Sequence, residues 1–386
     1  MWINSFDIGL GNGLRNKLTA AIANSDMGLS RSYVSTAFIM LAVIMGILII
    51  IGTCCYPFVN WYDILSTTPK HVSNLPQIVY LSFTIFCINF IFKLIGNIYL
   101  ALQQPAINNF INMCGHFLSL AIIYILTLTT KGHLLWVAIA YSASPLIIYL
   151  IAYPITFKNI YPDLAPSFKY FNRKYLNDLF GVGIQFFILQ LSAILLFAFS
   201  NILISHMFGP ENVTPYNIAY RYYSLIPMVI NLILTPMWSA TTDAYIKGDI
   251  LWIKKSMNAI CKVLFIASGG IIIMTIISEY IYHLWIGSDV HIPFILSSIM
   301  GLYVCILIWS LAYSNFLNGI GKLRLQTINT VIVAVAFVPV SIVLGKIWNI
   351  TGIVIGMCLL NLPGLILNRI QLKKLITGTA EGIWNK

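Results

Sequence analysis

Residues 33–58 read YVSTAFIMLAVIMGILIIIGTCCYPF, a run of 26 residues without a charged side chain. About 20 mostly apolar residues suffice for a helix that spans the hydrocarbon core of a bilayer, so this run predicts a transmembrane helix. Nine further runs of the same kind follow: 76–103, 108–130, 134–157, 178–206, 215–240, 257–286, 292–318, 325–347 and 350–372. Because helices satisfy their own backbone hydrogen bonds, the predicted fold is an all-α polytopic membrane bundle with about ten complete spans.

The composition of the whole chain agrees with this fold class. Of its 386 residues, 59% are hydrophobic and 9% are charged, and the mean hydropathy is +0.87. A soluble domain carries about 25% charged residues, so soluble globular, disordered and collagen-like classes are excluded. The seven cysteines lie mostly in apolar runs and form no C-x-x-C pair, so we interpret them as small buried hydrophobic residues rather than disulfide partners or metal ligands.

The net charge of +11 is mainly a signal of membrane orientation. Of the 22 lysines and arginines, 16 lie in connections on one side of the predicted spans and 3 on the other. Positively charged connections stay in the cytoplasm, so the basic side, which includes the C-terminus, is predicted to be cytoplasmic. A nucleic-acid partner is therefore not expected. The remaining three cations, Lys93, Arg221 and Lys262, lie in or near spans.

The longest basic connection, 158–177, reads KNIYPDLAPSFKYFNRKYLN and divides the chain. It predicts an N-terminal lobe over 1–157, a cytoplasmic connector over 158–177 and a C-terminal lobe with six spans over 178–386. The connector is rich in basic and aromatic residues, so it also fits an amphipathic segment at an anionic membrane surface. Both interpretations stay open at this point.

Two predicted spans carry a charge far from their ends, which costs about 2.5–3.5 kcal/mol on insertion scales and so marks a candidate functional position. In the first, Asn89, Lys93 and Asn97 are spaced four apart and share one helix face. This polar stripe is expected to line a cavity or a helix contact. Lys93 either contacts an anion or a sugar, or pairs with a neighbouring carbonyl or carboxylate.

The second such span is centred on Arg221. Asn217 and Asn231 fall on the same helix face as Arg221. Pro227 and Pro236 remove backbone donors and are expected to bend this span, as at a gate. The planar guanidinium suits phosphate or carboxylate, so an anion contact in a cavity is favoured over a structural ion pair.

Three other polar features are weaker candidates. Glu279 either couples transport to a proton or another ion or is simply interfacial, and Lys262 can reach the membrane surface along its own stem. The glycines in the segment 9–18, GLGNGLRNKL, are expected to end or loosen a helix and to permit close packing, which puts Arg15 at the cytoplasmic mouth. The histidines show no metal-binding spacing, so no metal or cofactor is expected.

Several motifs together resemble a known family. The segments FDIGLGNGLRNKLTAAIANSD, GNIYLALQQPA, YNIAYRYYSLIPMV, PMWSATTDAYIKGD and FLNGIGKLRLQ are similar to those of polysaccharide transporters that flip O-antigen and capsule repeat units. These transporters belong to the multidrug/oligosaccharidyl-lipid/polysaccharide exporter superfamily. The resemblance implies twelve spans in two six-helix lobes with a substrate cavity between them. Such a protein resides in the bacterial inner membrane with its C-terminus in the cytoplasm.

The resemblance also implies a substrate and binding residues. The substrate would be an undecaprenyl-pyrophosphate-linked oligosaccharide, moved by alternating access without covalent chemistry, with the bilayer and other polysaccharide assembly proteins as partners. The related lipid II flippase lines its cavity with arginines, and Arg15 and Arg221 match two of them by position. The segment with Arg15 would be the cytoplasmic end of the second family helix. The chain is therefore expected to lack the first helix and most of the second, so that 1–157 forms a truncated lobe.

Two other functions compete with this one. A multidrug antiporter of the same superfamily would need acidic cavity residues for cationic drugs, whereas the deep charges here are Lys93 and Arg221. A membrane polysaccharide polymerase or acyltransferase would need a catalytic cluster, and no acid–base pair occurs at a workable spacing. The protein is therefore predicted to be a transporter and not an enzyme.

Overall fold

The computed structural model describes residues 9–64, 67–69, 72, 74–129, 134–287 and 290–386, and its regular elements there are helical. Short 3₁₀ and π-helical turns join some of the α-helices. The α-helices are α1 (Leu10–Ala23), α2 (Met27–Cys55), α3 (Trp61–Ile64), α4 (Leu75–Ala101), α5 (Pro105–Thr129), α6 (Leu134–Pro154), α7 (Lys174–Phe208), α8 (Val213–Ile246), α9 (Ile250–Ile276), α10 (Ser278–Ile286), α11 (Phe294–Ile320) and α12 (Arg324–Ile376).

The long helices confirm the predicted membrane fold. Within the described ranges, 9 helices are long and apolar enough to cross a membrane. The longest, α12, consists of two helices that meet at a kink, where Trp348 and Asn349 leave the helical conformation. We call these helices the first arm, 324–347, and the second arm, 350–376. Counted separately, they bring the described membrane-length helices to the ten that hydropathy predicts.

The prediction of one span over 257–286 is wrong in its bounds. The Asp249 carboxylate accepts a hydrogen bond from the Trp252 backbone N–H at 2.9 Å, and this cap starts α9 at Ile250. At the other end the helix stops at Ile276, and α10 begins at Ser278. The hydropathy prediction starts this helix too late, because Lys254 and Lys255 lie inside the helix and lower the local average hydropathy. Glu279 thus belongs to α10 and not to the long span.

The chain divides into two compact units, one ending at Ile184 and one beginning at Gln185, and the boundary falls within α7. In the first unit α1 packs closely on the start of α7. A Cβ added to Gly13 would lie 2.8 Å from the Leu179 carbonyl oxygen, so only glycine permits this approach. Gly9 (φ 67°) lies at the N-cap of α1. Residues 1–8, which include the rest of the predicted truncated helix, lie outside the described residues.

The connector over 158–177 packs against α2 in the first unit. The Arg31 Nε–H donates to the Ala165 carbonyl oxygen at 3.0 Å, and the guanidinium carbon lies 4.3 Å from the centre of the Tyr170 ring. The Ser167 backbone N–H donates to Ser35 Oγ at 3.1 Å. These contacts hold the connector against the N-terminal part of α2.

Replacing Arg31 with glutamine is expected to loosen the connector, because one hydrogen bond and one cation–π contact are lost together. The measurement is limited trypsin digestion of the purified protein, with cleavage after Lys169 and Arg173 expected to become several-fold faster. Lys247→Gln, which removes an exposed cation just after the end of α8, is the control and should leave this rate unchanged. An unchanged rate in Arg31→Gln would show that the other contacts suffice.

In the second unit α8 and α11 form a close contact. A Cβ added to Gly319 would lie 2.6 Å from the Trp238 carbonyl oxygen, and Thr242 Oγ1 donates to the Gly319 carbonyl oxygen at 2.7 Å. Further along the same pair, Tyr223 OH lies 3.1 Å from Ser297 Oγ, which also lies 2.9 Å from Tyr282 OH. Hydrogen bonds between neighbouring helices thus satisfy hydroxyl groups that lipid could not.

Candidate functional site

The first candidate set lies on α4 in the first unit. Asn89 is buried, and Lys93 and Asn97 are half-buried. This polar stripe therefore packs mostly against other protein atoms. The Asn89 Oδ1 atom is buried and has no hydrogen-bond partner among the described residues. Leaving such an acceptor unsatisfied costs about 1–3 kcal/mol, which favours a water molecule or a ligand hydroxyl group at this position. Lys93 Nζ lies 5.9 Å from the centre of the Phe90 ring.

A group of polar residues missed by sequence reasoning lies beside α4. Tyr149 OH on α6 donates to Asn112 Oδ1 on α5 at 3.1 Å, and Asn112 Nδ2 donates to the Asn108 carbonyl oxygen at 3.0 Å. The Asn108 side chain occupies the space that a side chain at Gly96 would fill. The four-residue spacing of Asn108 and Asn112 inside an apolar run is the sequence signal that identifies this group.

Arg15 lies on α1 and is 3% exposed, so its position is inside the protein rather than at an open mouth. The neighbouring Thr19 is also buried, and its Oγ1 lies 2.8 Å from the Arg15 carbonyl oxygen and 3.0 Å from the Ala101 carbonyl oxygen at the end of α4. This contact anchors the helix that carries Arg15. A ligand could reach the guanidinium only if α1 or its neighbours moved.

The second candidate set lies on α8 in the second unit. Arg221 and Asn231 are exposed in this unit, and Asn217 is half-buried. The Asn217 Nδ2 group donates to Asn201 Oδ1 on α7 at 2.7 Å, and to the Val213 carbonyl oxygen at 3.0 Å. The Asn217 amide is therefore engaged between two helices, whereas Arg221 extends from the same face.

The remaining predicted residues lie elsewhere in the second unit. Helix α8 continues through Pro227 and Pro236, which lie inside it. Glu279 is exposed in the first turn of α10. Within the described residues, no group of three or more His, Cys, Asp or Glu side chains could hold a metal ion.

Charges are unevenly distributed along the membrane-length helices. Lys93 and Arg221 lie well inside α4 and α8, and Lys262, which was expected near a span end, lies in the middle of α9 because that helix begins at Ile250. In the described part of the chain, the carboxylates of these long segments lie close to a segment end: Asp178, Glu211 and Asp243. Away from the ends, both units therefore present cations and neutral amides.

The second unit also contains a cavity of about 200 Å³ with several amide groups in its wall, which sequence reasoning missed. Amide side chains from the two arms of α12 line it: Gln326, Asn329, Asn361 and Asn368. On the wall formed by α11, Asn368 Nδ2 donates to Ser314 Oγ at 2.9 Å. The seven-residue spacing of Asn361 and Asn368 in an apolar run is the corresponding sequence signal.

Comparisons with known proteins identify the fold and the family. A putative O-antigen export protein of Yersinia pseudotuberculosis is 23% identical over 338 residues, which cover 84% of this chain and 74% of that protein. An outward-facing multidrug resistance MATE family transporter of the MOP superfamily has a TM-score of 0.81 at 18% identity, covering 97% of this chain and 86% of that one. A MOP superfamily transporter from Pyrococcus furiosus, described as having a binding pocket of reverse polarity, has a TM-score of 0.77 at 16% identity with the same coverages.

The family itself follows from a sequence model. The model described as polysaccharide biosynthesis protein matches residues 4–241, which is more than half of the chain. This match confirms the resemblance drawn from the motifs, and the long helices make the chain a multi-pass membrane protein. The chain belongs to the polysaccharide biosynthesis protein family and has the fold of the MOP superfamily transporters.

Proposed function

We propose that this protein moves undecaprenyl-pyrophosphate-linked O-antigen or capsule oligosaccharide units from the cytoplasmic to the periplasmic leaflet by alternating access. The observation that carries the proposal is the charge pattern of the long helices. The charges well inside α4 and α8 are Lys93 and Arg221, whereas the described carboxylates of the long segments lie near segment ends. This pattern suits a substrate whose headgroup is an anion.

The headgroup has two parts, and the candidate residues offer a group for each. A pyrophosphate carries several acceptor oxygens, for which Lys93 in the first unit and Arg221 in the second unit each offer a charged donor. Arg15 becomes a further donor only if α1 or its neighbours move. Sugar hydroxyl groups donate and accept, as do the amides of Asn89 and Asn97. On α8, the Asn231 amide offers the same chemistry about 15 Å along the helix from Arg221, whereas the Nδ2 group of Asn217 already donates to Asn201.

The polyprenyl tail imposes a different requirement. Burying an ionised group in hydrocarbon without partners is very costly, whereas the tail is stable there. A transporter therefore only has to shelter the headgroup while the tail stays in lipid. We assign the bending that exposes the headgroup to either leaflet to the proline-containing helix α8, and any coupling to ions to Glu279. No bond is made or broken, which agrees with a family and a fold that belong to transport.

The test is transport of a fluorescent undecaprenyl-pyrophosphate-linked oligosaccharide in vesicles that contain the purified protein. Substrate placed in the inner leaflet is expected to become accessible to an added membrane-impermeant glycosidase much faster than in protein-free vesicles. The control lipid has the same tail and sugars but lacks the pyrophosphate, and its movement should stay near the protein-free rate. Failure to accelerate the charged substrate would refute the proposed function.

A multidrug antiporter remains the second candidate because the MATE transporters share this fold. Organic cations should bind poorly where the deep charges are cations, since like charges repel. Binding of ethidium to the purified protein in detergent discriminates the two candidates. Weak binding that added salt barely changes is expected, whereas tight and saturable binding would favour the antiporter.

A further inference from the structure

A groove of about 620 Å³ lies on the second unit between α11 and the second arm of α12. Its walls combine two aromatic residues, three aliphatic residues and two cations: Trp309, Tyr313, Leu365, Ile366, Ile370, Arg369 and Lys373. None of these residues belongs to the candidate substrate-binding sets. The proposed transport function therefore gives this groove no role.

The two cations differ from their basic neighbours. Arg369 and Lys373 lie one turn apart on one helix face and are exposed, and neither side chain forms a salt bridge or a hydrogen bond within the described residues. In contrast, Lys374 Nζ lies 4.5 Å from the centre of the Trp384 ring, and Lys322 Nζ donates to the Asn385 carbonyl oxygen at 2.9 Å. The C-terminal segment thus engages those two lysines, while Arg369 and Lys373 extend from the groove wall.

The aromatic wall on α11 is held in place by α9. Trp309 Nε1–H donates to Ser268 Oγ at 3.2 Å, and the ring centres of Trp309 and Phe265 are 5.0 Å apart in an edge-on arrangement. Tyr313 follows one turn later and is buried. On the opposite wall Ile366 is exposed along with the cations. The groove therefore combines a mainly apolar surface with two positive charges on one wall.

The helix length places these charges near a membrane surface. The second arm, 350–376, is about 40 Å long at 1.5 Å per residue, which exceeds the roughly 30 Å hydrocarbon core. Arg369 lies about 10 Å from the end of this arm and Lys373 lies nearer still, so their long side chains extend to the level of the lipid headgroups. The apolar residues of the groove then lie at the depth of acyl chains.

We propose that this groove binds one anionic phospholipid from the surrounding leaflet. The phosphate accepts charged hydrogen bonds from Arg369 and Lys373, and an acyl chain packs on Leu365, Ile366 and Trp309. Basic pockets between transmembrane helices on the cytoplasmic side bind anionic headgroups in this way. The apolar wall selects a lipid over a free phosphate ion. This inference does not depend on the proposed transport function.

The test counts lipids that remain bound to the purified protein by native mass spectrometry. The added lipid is phosphatidylglycerol or phosphatidylcholine with identical chains, and sodium pyrophosphate serves as the probe for a free anion. We expect retention of one more phosphatidylglycerol than phosphatidylcholine. In the double variant Arg369→Gln/Lys373→Gln the affinity for phosphatidylglycerol should fall about tenfold or more, since two charged hydrogen bonds are lost.

Two further variants keep this test decisive. Lys254→Gln/Lys255→Gln removes the same charge from exposed positions on α9 and should retain the lipid. Ile366→Trp fills the groove without changing its charge and should release the lipid. Equal retention of both lipids, equal loss in the α9 control, or displacement of phosphatidylglycerol by pyrophosphate at low concentration would each overturn the proposal.

Discussion

Replacing Arg221 with alanine is expected to reduce surface polysaccharide about tenfold to a hundredfold in cells that rely on this protein for export. Loss of one charged hydrogen bond to a phosphate costs about 1.5–3 kcal/mol, which corresponds to that range in binding. Because Arg221 is exposed within its unit, its truncation leaves no buried cavity. The amount of protein in the membrane should therefore stay normal. The measurement is polysaccharide on the cell surface beside an immunoblot of the membrane fraction.

Two variants separate a contact with the substrate from a general effect of charge. Arg221→Lys keeps the charge but loses the planar fork, so partial activity is expected. Lys247→Ala removes a cation that directly follows α8. Lys247 pairs with Asp243 at 2.8 Å, and an exposed pair of this kind contributes little to stability. Normal polysaccharide in the Arg221→Ala strain would refute the assigned role, as would an equal loss in Lys247→Ala.

Replacing Gly319 with alanine is expected to lower the thermal stability of the purified protein by several degrees or to prevent its accumulation in the membrane. The added Cβ would lie 2.6 Å from the Trp238 carbonyl oxygen and 2.8 Å from Thr241 Cβ. The two helices must separate, which also weakens the hydrogen bond from Thr242 Oγ1 to the Gly319 carbonyl oxygen. Forcing extra atoms into a close contact costs about 1–3 kcal/mol, and the lost hydrogen bond adds to that.

The matched control for this prediction is Gly270→Ala on α9. A Cβ at Gly270 meets no atom within 4 Å, and alanine is a better helix former than glycine. Unchanged or slightly higher stability is therefore expected for Gly270→Ala. If both variants melt at the same temperature, the contact at Gly319 does not limit stability. Melting followed by fluorescence-detection size-exclusion chromatography measures both variants in the same detergent.

Much of the fold could be predicted from hydropathy, because a bilayer requires long apolar helices whatever their neighbours are. The residues that end helices were predicted less well. The Asp249 cap starts α9 at Ile250, seven residues before the predicted start, and the bend at Ile277 separates α10 from it. Both depend on single hydrogen bonds or dihedral angles, which an average over twenty residues does not resolve.

The candidate site could be predicted in part. A charge in the middle of an apolar run is visible in sequence, so Lys93 and Arg221 could be found without a structure. The amides at Asn108 and Asn329 carry no charge, and their spacing in apolar runs alone did not single them out. Their importance depends on which other polar groups approach them from neighbouring helices.

By itself, the sequence determined that this chain crosses a membrane about ten times, that Lys93 and Arg221 lie deep in spans, and to which family its motifs belong. Each of these follows from the cost of placing polar groups in hydrocarbon or from local residue order. Only the tertiary structure decided which cations have partners. Arg369, Lys373 and Lys374 look alike in sequence, yet Lys374 stacks on Trp384 whereas the other two line a groove. The reason is that partners on other segments are set by packing, which local sequence does not encode.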